Sequence, residues 1–209
     1  KIFFNLVLFL SVFLFLITFL VIKENSLLLN LILFFSIYLI VQTLFDLYDG
    51  FKRRNINFSR ILSHLGFGLL IFFISINHIF SQESNFNLKL GESKETENYV
   101  IKFENLEQFS GNNYKSLIGH FKILNKDKLF NENLKPEIRI YNQPVTVTYE
   151  ASINSGFFSD TYLTMSNISE SDIFNIKFQR KPFMNFIWVS VLLISFGGII
   201  NFFNKKKVI

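Results

Sequence analysis

Histidine is the rarest of the residues here that could do chemistry, with three in 209 residues. His64 lies in Leu62-Ser63-His64-Leu65-Gly66-Phe67-Gly68, about one to two helical turns inside an apolar stretch. An ionisable group at that depth in a membrane-spanning helix is costly and asks for a reason. Two readings of it stand side by side. In the structural one, a neutral imidazole donates to a backbone carbonyl of a neighbouring helix. In the functional one, it is an axial ligand to heme iron, a role neutral imidazole fills often. Helical side chains lean toward the N-terminus, so His64 leans over Ile61 and Arg60. Gly68, one turn further on, would leave space for a flat macrocycle. Arg60 has the chemistry to pair with a propionate, and equally that of a basic residue setting topology. Gly66 and Gly68 also have a purely structural reading, as small residues that let helices pack closely.

The remaining chemistry is thin. His78 ends the same apolar run and reads as a side chain in the wet interface. His120 follows Gly119 in a segment that reads as a strand, and a surface histidine is the default there. The three imidazoles have no zinc spacing. Asp46, Glu24 and the later carboxylates form no recognisable catalytic pair, and Asn30 and Gln42 read as helix-packing residues. No phosphate loop, nucleophile elbow or metalloprotease motif is present, so no catalytic residue is assigned. With no cysteine, disulfides and thiolate metal sites within the chain are excluded. The net charge of +5 reads as an orientation signal and not as a nucleic-acid footprint. The 29 Phe accompany many Asn, Lys and Ile, a bias of AT-rich codons, and carry little functional weight.

The elements that must position His64 are legible. Apolar runs cover 1–22, 27–48, 61–80 (apolar from about Phe58) and 183–203. About 20 residues cross a bilayer core of roughly 30 Å at about 1.5 Å each. The expectation is an integral membrane, multi-pass α-helical bundle of four spans, the first two joined as a hairpin through Lys23-Glu24-Asn25-Ser26. Lys52, Arg53, Arg54 and Arg60 in the 49–60 loop, and Lys205, Lys206 and Lys207 in the 204–209 tail, predict that both are cytoplasmic. Residues 81–182 then lie outside the membrane. There Phe86–Leu90, Tyr99–Phe103, Ile138–Tyr141, Val145–Tyr149 and Ile173–Phe178 alternate with period two. Turn signals at Gly91, 110–113, 125–127 and 155–156 separate six to eight short strands, which predicts an extracytoplasmic β-rich domain, a small barrel or sandwich. No repeat or low-complexity linker interrupts it. The chain opens on Lys1, nearly inside an apolar run, and is expected to be a fragment or the later part of a longer protein.

From Arg60 to about Phe203 the sequence resembles the C-terminal part of the CcmF family, the heme lyase subunit of system I cytochrome c maturation. Leu62-Ser63-His64-Leu65-Gly66, Ser81-Gln82-Glu83, Gly91-Glu92-Ser93 and Gly111-Asn112-Asn113-Tyr114 carry the resemblance. So do Pro136-Glu137-Ile138-Arg139-Ile140-Tyr141-Asn142, Glu150-Ala151-Ser152-Ile153, Asp160-Thr161-Tyr162-Leu163, Lys181 to Trp188, and Gly197-Gly198, all in the family's order. The resemblance implies thioether ligation of heme to the CxxCH thiols of apocytochrome c at the outer face of a bacterial inner membrane, or alternatively a mitochondrial one. It implies a transmembrane heme b held by two histidines, with His64 as the second. It further implies apocytochrome c, a heme chaperone and other maturation subunits as partners besides membrane lipid. Arg139, Tyr141 and Asn142 are candidates for docking them, against a structural reading in which Arg139 pairs with Glu137 or Glu150 and Tyr141 packs in the core. The family's tryptophan-rich segment, outer heme-ligating histidines and first transmembrane histidine have no counterpart here, where the one tryptophan is Trp188. This segment alone is therefore not expected to perform the ligation. A non-enzymatic, membrane-anchored docking scaffold is the alternative, and a transporter with His64 in a proton path is a third class.

Overall fold

The structure, a computed structural model, describes residues 2–22, 26–126, 128–167 and 172–205, with side chains over 5–20, 26–126, 132–167 and 172–203. It divides into a helical unit, Lys1–Phe80 with Pro182–Ile209, and a β unit, Ser81–Lys181. The expected turn residues Lys23, Glu24 and Asn25 and the tail residues Lys206 and Lys207 lie outside the described residues.

The helical unit contains α1 (Ile2–Ile22), α2 (Leu27–Lys52), α3 (Phe58–Phe80) and α4 (Met184–Lys205). Ser26 caps α2 by accepting from the Leu29 amide at 3.4 Å. Asn57 does the same for α3, its Oδ1 accepting from the Arg60 amide at 3.1 Å. The second helix runs past the apolar stretch to Lys52, and the Arg53–Asp49 pair at 3.0 Å closes its last turn. Leu27–Lys52, Phe58–Phe80 and Met184–Phe203 are long and apolar enough to cross a membrane, and the part of α1 whose side chains are described, Asn5–Leu20, is an apolar but shorter stretch. Large apolar side chains such as Phe9, Phe13, Phe35, Leu192, Phe196 and Ile199 point outward. That inside-out pattern suits hydrocarbon and not water.

Small residues set the helix contacts. A Cβ on Gly66 would lie 2.9 Å from the Ser190 carbonyl oxygen and the Ile194 amide nitrogen, and one on Gly197 would lie 2.8 Å from the Ser63 amide nitrogen. Those gaps are backbone against backbone, so α3 and α4 approach closely only because no Cβ intervenes. Ser59 Oγ donates to the Gly197 carbonyl at 2.8 Å across the same seam. Helices α1, α2 and α3 share a core of Val7, Ile37 and Val41 with Phe15, Tyr38, Phe45 and Phe72 against it.

The β unit is a sandwich. One sheet has the order β1-β10-β9-β8, and the other has β2-β3-β4-β6-β7 with β5 also paired to β4. In chain order these are β1 (Gln82–Lys89), β2 (Ser93–Glu95), β3 (Tyr99–Ser110), β4 (Tyr114–Asn125), β5 (Lys128–Leu134), β6 (Glu137–Asn142), β7 (Val145–Glu150), β8 (Ser152–Ser155), β9 (Ser159–Asn167) and β10 (Ile173–Pro182). All five strands expected from alternation are present, each longer than its apolar signature. The expected six to eight strands are too few, and the two-sheet arrangement decides between barrel and sandwich. Ile101, Phe103, Phe121 and Ile123 of one sheet meet Leu163, Met165, Phe174, Ile176 and Phe178 of the other. Phe103 and Phe121 stack with centroids 4.4 Å apart. A bulge between Phe103 and Asn105 turns β3 beyond that pair.

Candidate functional site

His64 lies on an exposed face of α3. Its Nδ1 is 2.7 Å from the carbonyl oxygen of Arg60, one turn earlier in the same helix. A carbonyl can only accept, so Nδ1 carries the proton, and in the neutral form of the ring Nε2 is a lone-pair donor. The carbonyl partner expected from a neighbouring helix is thus supplied by α3 itself. Fixing one ring nitrogen on a carbonyl orients the other as a ligand in the manner common at metal sites.

Arg60 stands beside this imidazole. Its Nη2 is 3.7 Å from Asp46 Oδ2 on α2, and Gln42 Nε2 donates to Asp46 Oδ1 at 3.1 Å. Arg60 remains more than half exposed, so Asp46 holds the guanidinium from one side only. Leu39, Gln42, Thr43, Asp46, Arg60, Ile61 and His64 enclose a cavity of about 50 Å³. That is room for water and far too little for a porphyrin. That cavity would therefore not house a heme held by His64. The space expected next to Gly68 is filled, since a Cβ there would meet Ile40 Cγ1 at 2.9 Å. Gly68 is a helix-packing residue, as Gly66 is. The donor chemistry of His64 and Arg60 nonetheless fits one half of a heme site. Among the described residues no group of three or more metal-ligating side chains gathers elsewhere.

The other histidines are apart from this cluster. His78 is exposed and lines an apolar groove of about 440 Å³ with Ser26, Leu29, Ile32, Ile71 and Ile74. It is fourteen residues from His64 along one helix, about 21 Å. His120 Nε2 is 3.0 Å from Glu107 Oε2 on the adjacent strand.

In the β unit, Glu137, Arg139 and Tyr141 share the outer face of β6, opposite the core residue Ile138. Arg139 Nε donates to Glu137 Oε2 at 2.8 Å and its guanidinium rests 5.2 Å over the Tyr114 ring. The Tyr114 and Tyr141 rings are 5.6 Å apart. Glu137 first, and Tyr141 second, hold the Arg139 pKa above its already high ordinary value. Tyr141 is half-buried in this ladder and does not enter the core. Glu150 is engaged by the Thr148 hydroxyl at 2.9 Å. Asn142 follows at the strand end, where its amide donates to the Asn113 carbonyl at 2.9 Å.

Two polar groups escaped sequence reasoning. Asp46 has no catalytic partner in the sequence, although a carboxylate and Arg60 flanking one short loop is a signal. Arg180 lies in a strand that alternates well, so nothing marked it. It closes one end of the sandwich, donating to Ser159 Oγ at 2.9 Å and to the Tyr99 hydroxyl, and burial lowers its pKa.

Residues 79–182 match the family model described as the CcmF C-terminal beta-sandwich. The chain matches the C-terminal part of CcmF. It is 29% identical over 147 residues to the cytochrome c-type biogenesis protein CcmF of Haemophilus influenzae, covering 70% of this chain and 22% of that one. It is 30% identical over 142 residues to the cytochrome c-type biogenesis protein ccl1 of Rhodobacter capsulatus, covering 68% and 22%. The Escherichia coli CcmF is 25% identical over 146 residues, 70% of this chain and 22% of that one. The fold matches a solved structure, cytochrome c heme lyase CcmF, with a TM-score of 0.72 and 16% identity over 93% of this chain and 33% of that one. The chain thus spans about a fifth of the length of the curated CcmF relatives it matches. The resemblance carried by the motifs is borne out, and apolar helices long enough to cross a membrane together with a β-sandwich agree with it.

Proposed function

We propose that this chain is the C-terminal portion of a cytochrome c heme lyase, in which His64 is one axial ligand of a transmembrane heme b. The observation that carries the reading is the imidazole itself. Arg60's carbonyl holds Nδ1–H, the imidazole is exposed on α3, and a half-exposed guanidinium stands one turn away. The names of the matched proteins, cytochrome c-type biogenesis proteins and a heme lyase, supply the reaction class. Heme b would supply a one-electron iron centre. His64 orients and ligates; Arg60, steadied by Asp46, offers its free donors to a propionate. The second imidazole comes from outside this segment. Four helices, with α1 as the fourth span, are proposed to carry the site within the membrane.

The β-sandwich is proposed to lie on the outer side of a bacterial inner membrane, with the basic 49–60 and 204–209 segments inside. Arg139 and Tyr141, half-buried on one face of β6, and the exposed Asn142 at its end are proposed to help dock apocytochrome c or a heme chaperone. The decisive experiment is the reduced absorption spectrum of the complete protein, with and without His64→Ala. The lyase reading expects a b-type spectrum that the substitution weakens severely or removes. A colourless wild-type protein would favour a docking scaffold, and an unchanged spectrum in the variant would remove His64 from the site.

A further inference from the structure

The turn between β8 and β9 carries two adjacent, largely exposed phenylalanines. Ser155 pairs with Asp160, and the Gly156 amide donates to the Ser159 carbonyl at 3.1 Å, which closes the turn around Phe157 and Phe158. Phe157 is 68% exposed and Phe158 is 63% exposed. Their rings meet edge to face, 4.8 Å apart. Polar residues usually occupy such a tip, because water must solvate it.

Strand order says where this turn lies within its sheet. β1 and β10 are antiparallel, with Gln82 opposite Arg180. β9 neighbours β10, and Arg180 donates to Ser159 from Nε and Nη2 at 3.2 and 2.9 Å. Gln82, Arg180, Ser159 and the turn therefore share one end of the sheet. That is also the end at which the chain leaves for its helices. Ser81 alone separates α3 from β1, and Phe183 alone separates β10 from α4. Both helices are long and apolar enough to cross a bilayer. The connection to each of those helices is a single residue long, and a bilayer that they cross ends in a headgroup layer. Aromatic rings partition favourably into that layer. Arg180 and Lys181 add positive charge at the same end, complementary to anionic headgroups.

We propose that Phe157 and Phe158 form a membrane-anchoring turn, bedded in the interfacial layer of the bilayer that α3 and α4 cross. The partner is lipid, engaged by two rings and the nearby cations. This proposal rests on the spans and on sheet order, and it is independent of the heme reading.

The test uses nitroxide labels, which the absence of cysteine from this chain makes simple. In the complete protein, with any cysteines elsewhere changed to serine, Phe158→Cys and Leu90→Cys are labelled one at a time. Leu90 is also exposed, at 53%, and it follows Lys89 at the opposite end of β1. The eight residues of β1 separate the two ends by about 25 Å. The samples are reconstituted in vesicles of phosphatidylcholine and phosphatidylglycerol and examined by power-saturation EPR. The expected ratio of oxygen to water-soluble nickel-chelate accessibility is several-fold higher at 158 than at 90. Equal ratios overturn the proposal. So does a label at 158 shielded from both relaxants, which would mean that protein covers the turn. Phe157→Cys, read the same way, serves if the first variant does not fold.

Discussion

At the scale of single residues, the informative question about His64 is which groups hold it. The ring is fixed by a carbonyl of its own helix, while Arg60 is fixed by Asp46 from another. Asp46→Asn would keep the hydrogen bond from Gln42 and remove the charge facing Arg60. If Arg60 serves a propionate from that anchored position, Asp46→Asn should loosen heme by a few-fold, far less than His64→Ala does. Adding Arg60→Gln to it should cost little more, because the two act in series. Heme retained per protein after washing in detergent, compared across the singles and the double, measures this. Fully additive losses would show that Asp46 does not act through Arg60.

A second residue-scale prediction concerns Tyr162. Its hydroxyl donates to Asp160 Oδ2 at 3.3 Å, and burial first, then the Asp160 charge, raises its pKa above the ordinary 10.0. The folded state thus keeps this proton longer than the unfolded state does. The stabilisation is fully present below about pH 10 and is lost as pH rises through the folded value. Thermal melts of the protein across pH 8 to about 11.5 should show an alkaline decline that Tyr162→Phe makes shallower. Identical declines in the two proteins would mean that another group controls the limb.

At the scale of elements, the α3–α4 seam makes its own prediction. Gly66→Ala places a methyl 2.9 Å from backbone atoms of α4, whereas a Cβ on Gly198 meets nothing within 4 Å. Overpacking of this kind costs about 1–3 kcal/mol. Gly198→Ala should be neutral, or stabilising by up to about 1 kcal/mol from helix propensity. Melting temperatures in one detergent compare the two, and equal shifts would refute the tight seam. The elements also show why legibility was uneven. Strands β6 and β7 were readable because Ile138, Ile140, Val145 and Val147 alternate with polar residues. Strand β4 was not, because Leu117-Ile118 and Ile123-Leu124 place apolar residues on both faces and the core positions include Gly119. Strand β9 hid its inward face behind Thr161 and Asp160, both buried although polar. Gly66 and Gly68 could be read from sequence as spacing for either a cofactor or a helix. Only the positions of Ile40, Ser190 and Ile194 decide for helices.

At the scale of the whole molecule, hydropathy and charge were enough to divide the chain into spans and an intervening β-domain. They could not show that His64's open face is on the outside of this segment's helices, since helix rotation depends on which small residues meet. That rotation leaves His64 exposed on α3 while it also lines the small cavity against α2, and under the proposed reading a partner for its ring would come from elsewhere in the complete protein. The topology that would place such a partner is itself testable. Basic residues near 52–60 argue for an inner loop and therefore for an outer sandwich. In the cysteine-free chain, Arg54→Cys and Asn112→Cys mark the α2–α3 connection and the β3–β4 turn. With the complete protein in intact cells stripped of their outer membrane, an impermeant maleimide should label position 112 at once and position 54 only after lysis. The reverse pattern would invert the membrane orientation and put the Arg139 ladder out of reach of any partner on the outer face. Equal labelling of both before lysis would mean that α3 does not cross the membrane.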